Sequence, residues 1–265
     1  MSTVRILPFC LIIFLVGCLP TFYLEDLAIV TALGSDFIEG SAGDEIELTF
    51  VYFDFEEKQA VPKLVFGKGT TIVGASTEAR LKVKYQLMPD KIQLALFGID
   101  SAKHGLEPFS DILSRDPRFT DNISVALSEV TAKEILQAQN NPLMQGDVGQ
   151  HLIEIIKKNS QHNNFPHVPF NEFLINLKDA GKDPILPMFS LDDKNMPYLS
   201  SIALMQGEKY VEKLPFEDIL LFLLLKKKSK SDKLFDMEVP IEPFKNHLKN
   251  EHRHNKIGIS FVIIK

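Results

Sequence analysis

Apolar runs rich in β-branched and aromatic residues recur along the chain, bounded by Gly, Pro, Asp or Asn. They fall at Asp26–Leu33, Ile46–Phe55, Ile92–Ile99, Ile123–Glu129, Ile185–Leu191, Leu199–Met205 and Ile257–Ile264, and each predicts a strand. Helical spacing appears between them. Phe109, Ile112 and Leu113 form a stripe closed by Asp116-Pro117. Thr131 and Glu134 have capping-box spacing ahead of Ile135 and Leu136. Val148, Leu152, Ile155 and Ile156 share one helical face behind Asp147, a good N-cap residue. Phe170, Phe173, Leu174 and Leu177 share another, with Pro169 suited to the first turn and Gly181 just past the end. From Pro215 to Lys228 the signals are strongest, with Glu217 and Asp218 in the first turn and Lys226 to Lys228 in the last. Because Ile219 to Leu225 is apolar on every side, this helix is predicted to be buried.

Strands and helices alternate without a regular βαβ period, which predicts an α+β fold of mixed, largely antiparallel sheets with packed helices. Breakers cluster at Gly181, Pro184, Pro187, Asp192 and Pro197. They place a domain boundary near residue 190, giving an N-terminal α+β domain over 18–190 and a second α+β region over 191–265.

The first residues follow a different rule. Arg5 is the only charge before an eleven-residue apolar stretch, Ile6–Val16, which has the length of a signal h-region and is too short to span a bilayer. The stretch ends in Leu15-Val16-Gly17-Cys18, which has the form of a lipobox. A small residue precedes the bond to be cut, and the thiol after it accepts diacylglycerol. Residues 1–17 are therefore predicted to be a cleaved lipoprotein signal peptide, cut between Gly17 and Cys18. Cys18 would carry the lipid, including palmitate, that holds the protein on a bilayer.

Composition narrows the remaining possibilities. With 45% hydrophobic and 24% charged residues the 265-residue chain is an ordinary globular protein. Its net charge of −6 gives no bulk attraction to nucleic acid or to anionic headgroups. The two cysteines are Cys10 and Cys18, so no thiol or disulfide belongs to the folded body. His247, His252 and His254, with Glu251 among them, lack zincin spacing and read as a solvated polar segment. His162 and His167 flank a loop. Gly67-Lys68-Gly69-Thr70-Thr71 lacks the spacing of a phosphate-binding loop and is predicted to be a turn. Asp192 and Asp193 are neighbours in a turn. Lys226, Lys227, Lys228, Lys230 and Lys233 read as a solvated helix end. No nucleophile elbow, metal set or cofactor motif emerges, so the expectation is a non-enzymatic protein with no catalytic residues, metal or cofactor.

The start of the mature chain, Leu24-Glu25-Asp26-Leu27-Ala28-Ile29-Val30-Thr31-Ala32-Leu33-Gly34-Ser35-Asp36, resembles the C-subunit lipoproteins of bacterial spore germinant receptors. Further matches follow in order: Phe97-Gly98 at a strand end, Arg115-Asp116-Pro117, Ala132-Lys133-Glu134-Ile135-Leu136, and the hairpin Leu204–Leu214 before the leucine-rich helix. The resemblance runs from Cys18 to about Leu225. Leu19 stands where that family commonly has Trp, and the chain stops at Lys265 where its members usually continue, so it reads as a C-terminally shortened member. What the resemblance implies is a membrane-anchored subunit needed for spore germination, with integral membrane subunits of the same receptor as partners. It also implies a place on the outer face of the spore inner membrane. The alternative reading is a solute-binding lipoprotein of a transporter.

Overall fold

The structure is a computed structural model and describes residues 27–40, 43–56, 59–116, 118–119, 122–162, 164–179, 181–225, 233–240 and 256–263. Strand β1 (Leu27–Ile38) is buried along most of its length, on both faces of a sheet. It pairs antiparallel with β2 (Glu45–Glu56), which pairs antiparallel with β3 (Gln59–Gly69). On its other side β1 pairs in parallel with the short β4 (Gln86–Met88) and then with β5 (Leu94–Gly98). Parallel pairing continues to β6 (Ser124–Ser128) and β7 (Ile185–Leu191), and the sheet closes with the antiparallel strands β8 (Pro197–Gln206) and β9 (Lys209–Pro215). The order is β3-β2-β1-β5-β6-β7-β8-β9, with β4 beside the start of β1. The fold is α+β, as the hydrophobic pattern predicts. Its sheet is mixed, with a parallel centre and an antiparallel flank on each side. Through β7, β8 and β9 the sheet continues across residues 190 and 191. A separate two-stranded ladder joins β10 (Lys233–Pro240) and β11 (Lys256–Ile263).

Seven helices are described. On one face of the sheet lie α1 (Ile72–Arg80), α2 (Ile99–His104), α3 (Glu107–Arg115) and α6 (Phe170–Lys178). Their Ala75, Ala79, Ala102, Phe109, Leu113, Phe170 and Phe173 pack on Val30, Leu33, Leu48 and Phe97 of the strands. On the other face lie α4 (Ala132–Leu136) and α5 (Val148–Gln161), whose Ile135, Leu136, Leu152 and Ile156 pack on Ala32, Val51, Leu94 and Leu96. The apolar stripes expected on α3, α5 and α6 are the faces packed on the sheet. The last helix, α7 (Phe216–Leu225), joins a smaller cluster through Ile219 and Leu223.

Two expectations need correction. The segment from Gly67 to Thr71, expected to be a turn, carries the end of β3 through Gly69 and leads through the bend Thr70-Thr71 directly into α1. Thr71 caps α1 by accepting a hydrogen bond from Gly74 N at 3.0 Å. Helix α1 lies so close on β3 that a Cβ at Gly67 would overlap the Ala75 carbonyl, and one at Gly69 would stand 2.6 Å from Ala75 N. Glycine is needed there for close packing. The second correction concerns α7. It is not buried all round: Leu221 is 59% and Phe216 57% exposed, because the sheet covers the helix from the Ile219–Leu223 side.

Candidate functional site

Three of the sequence elements that carry the family resemblance meet beyond the carboxyl ends of β1 and β5. Asp36, on β1, is 4% exposed. Its Oδ1 accepts a hydrogen bond from Ala132 N at 2.6 Å and its Oδ2 one from Lys133 N at 2.9 Å. These are donors of the first turn of α4, which a helix leaves without internal partners. The same turn is closed by its own capping box. Thr131 Oγ1 accepts from Glu134 N at 3.1 Å, and Glu134 Oε2 accepts from Thr131 N at 2.9 Å. Gly98 borders the carboxylate, and a Cβ there would overlap Asp36 Oδ1. In open parallel sheets this crevice, with a helix N-terminus facing it, is where ligand anions are held. Here the chain fills it with its own carboxylate. Burial pushes the Asp36 pKa up from 3.8 to about 6 against the pull of the two backbone donors, and the charges of Glu47 and Glu134 add to the rise. With both oxygens engaged, Asp36 is a fastener between strand and helix and not an available acid or base.

Asp147 acts in the same way one helix later. It caps α5 by accepting from Gln150 N at 2.7 Å, and its second oxygen accepts from Thr31 Oγ1 on β1 at 2.9 Å. Burial raises its pKa while these bonds oppose the rise. Strand β1 is thus bonded to the starts of both helices that cover this face.

The opposite face holds a cleft of about 240 Å³ between β1, β2 and the helices α1 and α3. Val30, Leu33, Leu48 and Phe50 form its floor, Phe109 and Leu113 one wall, and Arg80, Asp116 and Arg118 its mouth. Asp116 Oδ2 accepts from Arg118 Nη2 at 2.5 Å, and the guanidinium holds the Asp116 carboxyl below its ordinary range. The Arg115-Asp116 element therefore ends α3 and forms the rim of this cleft, while Arg115 itself pairs with Asp111 at 2.7 Å. Pro117 lies outside the described residues.

The sequence-predicted lipidation residue Cys18 and its neighbour Gly17 lie outside the described residues, as do His247, His252 and His254 and the lysines from 226 to 230. Lys233 opens β10. Among the described residues no group of three or more His, Cys, Asp or Glu is placed to hold a metal, and no helix is long and apolar enough to cross a membrane. His162 follows the last turn of α5. His167 Nε2 lies 2.9 Å from Ser124 Oγ, a pair that sequence spacing does not reveal because 43 residues separate them. Burial keeps the His167 pKa below its usual value, favouring the neutral ring. Ser124 is only 2% exposed, so its hydroxyl is closed to a substrate and the bond ties the segment before α6 to β6. Asp192 shapes the β7–β8 turn, its Oδ1 accepting from Lys194 N and Met196 N at 2.9 and 2.8 Å.

Comparison with known proteins places these features in a family. A family model described as the spore germination protein N-terminal domain matches residues 22–191. The spore germination protein GerQC of Bacillus cereus is 25% identical over 214 residues, which make up 80% of this chain and 58% of that protein. The chain thus spans less than two thirds of the length of this relative. No solved structure matches. The matched region runs from before β1 to the end of β7 and includes Asp36, Gly98 and the start of α4; with well over half of the chain inside it, the protein belongs to the spore germination protein family.

Proposed function

We propose that the protein is a lipid-anchored subunit of a nutrient germinant receptor. It is held through Cys18 on the outer face of the spore inner membrane, and it acts in germination through contacts with the integral membrane subunits of the same receptor. The observation that carries this reading is the family match over residues 22–191. The lipobox Leu15-Val16-Gly17-Cys18 supports the anchor, since two or more acyl chains bind a bilayer stably where one is marginal. A non-catalytic role accords with the use made of the buried carboxylates Asp36 and Asp147, both of which are spent on backbone and hydroxyl donors. In this reading residues 18–190 form the N-terminal domain, and 191–265 belong to the region that follows it.

The anchor is tested by labelling cells with a fatty acid. The wild-type protein should take up label and sediment with membranes, and Cys18→Ala should do neither; label on the variant would remove the anchor from the proposal. The role is tested by deleting the gene and following the loss of spore refractility with single nutrients. At least one response should slow, and spores that germinate normally with every nutrient would overturn it.

A further inference from the structure

We infer that the cleft between β1, β2, α1 and α3 is a binding site for a small molecule with an apolar body and a carboxylate head. Its volume of about 240 Å³ has room for about eight water-sized groups. Val30, Leu33, Leu48, Phe50, Phe109 and Leu113 line the interior. An apolar floor of this kind favours the apolar part of a ligand over water. Ser76 and Thr77 of α1 also line the cleft, but its charged groups are Arg80, Asp116 and Arg118, an arrangement that orients a ligand with its body on the apolar floor and its charged head toward them.

The mouth selects the head group. Two guanidinium groups stand there, and one is already committed. Arg118 binds Asp116 through Nε at 2.9 Å and Nη2 at 2.5 Å, and Asp90, on the turn that follows β4, adds its charge to the same arginine. The side chain of Arg80, in the last turn of α1, makes no hydrogen bond or ion pair among the described residues; its charge acts on Asp116 from a distance, and it lines the same cleft. Asp116 cannot serve it equally, because its oxygens already receive Arg118 and the backbone N–H of that residue at 3.0 Å. Arg80 is therefore the donor left for an incoming anion, and a planar carboxylate fits its fork of N–H groups. Val73, 67% exposed at the rim, extends the apolar surface toward the same opening. The site lies on the sheet face opposite α4 and α5, and the Asp36 fastener takes no part in it.

The test uses the full chain in detergent, with isotope-labelled Ile, Leu and Val methyl groups and three probes: hexanoate, its neutral isostere hexanamide, and hexylamine. Hexanoate should shift the methyl signals of Val30, Leu33, Leu48 and Leu113 in a saturable way and leave those of Leu152 and Ile156, on the other face, unmoved. Hexanamide should bind more weakly, and hexylamine more weakly still. Arg80→Gln should weaken hexanoate binding about two- to fivefold, as expected for one exposed charge-assisted contact. It should leave hexanamide binding unchanged. Ser76→Phe, which places a ring in the cleft from α1, should abolish binding of all three, with an unchanged thermal midpoint showing that the variant is folded. Methyl shifts that do not saturate, or that spread equally to Leu152 and Ile156, overturn the site. Equal affinity for hexanoate and hexanamide, or an unaffected Arg80→Gln variant, overturns the carboxylate assignment.

Discussion

Burying a carboxylate costs stability in proportion to the water it loses, and Asp36 has lost nearly all of its own. The rise of its pKa from 3.8 to about 6 corresponds to about 3 kcal/mol against the ionised form in the folded state. Because the folded pKa lies above the unfolded one, this group's contribution to stability is fully present below pH 3.8 and is lost as pH rises through about 6. Between pH 5 and pH 8 the wild-type protein should therefore lose about 1 kcal/mol relative to Asp36→Asn, measured by urea denaturation of both. An equal slope in the two proteins would show that Asp36 titrates normally. Asp36→Ala should cost about 2 kcal/mol at pH 5, since it strands the N–H groups of Ala132 and Lys133. Gly98→Ala should be destabilising alone and much less so on top of Asp36→Ala, a coupling that follows from the overlap at Asp36 Oδ1. The cysteine at position 18 stands out in the sequence because the lipobox pattern it completes with Leu15 to Gly17 is read at short range. Asp36 does not stand out in that way. Its partners are about a hundred residues on, and a single acid at the end of an apolar strand carries no local sign of the helix it will meet.

At the level of elements, the long strands and the amphipathic helices were legible because each repeats its period several times. Strand β7 has the predicted ends, and the capping box at Thr131 is present with both of its bonds. Strand β3 was hidden by its own breakers, Pro62, Gly67 and Gly69. An edge strand tolerates the first, and close packing of α1 requires the glycines. Helix α1 was hidden with it, since its inward face is made of the small residues Ala75 and Ala79. The apolar run of α7 misled in the other direction, because composition alone does not say how many sides a neighbour covers. Two substitutions separate these cases. Leu152→Ala on α5, fully buried, should cost about 2–5 kcal/mol. Leu221→Ser on α7 should shift stability by no more than about 0.5 kcal/mol if that face stays exposed. A loss of several kcal/mol from the second would mean that something covers the outer side of α7 in solution.

For the molecule as a whole, one continuous sheet from β3 to β9 carries helices on both faces, and its middle is the most protected part. Residues of β5 and β6 are buried throughout, whereas most of β9 is exposed. Native-state hydrogen exchange should therefore find its slowest amides in β1, β5 and β6, opening only with global unfolding, and faster exchange in β9. Exchange in β9 as slow as that in β5 would contradict the arrangement. The parallel centre was the least readable feature at this scale, because the strands that pair there are separated in sequence by whole helices. The position of β1 also has a mechanical consequence. It is the first strand of the described chain, yet it lies inside the sheet, bonded to β2 on one side and to β4 and β5 on the other. A pull arriving from the residues before Leu27 along the strand axis strains many ladder bonds at once instead of peeling them singly, as it would at an edge. The protein should resist force applied through its N-terminal side far better than force applied through β9, and a tether attached ahead of β1 would load the fold in its strongest direction.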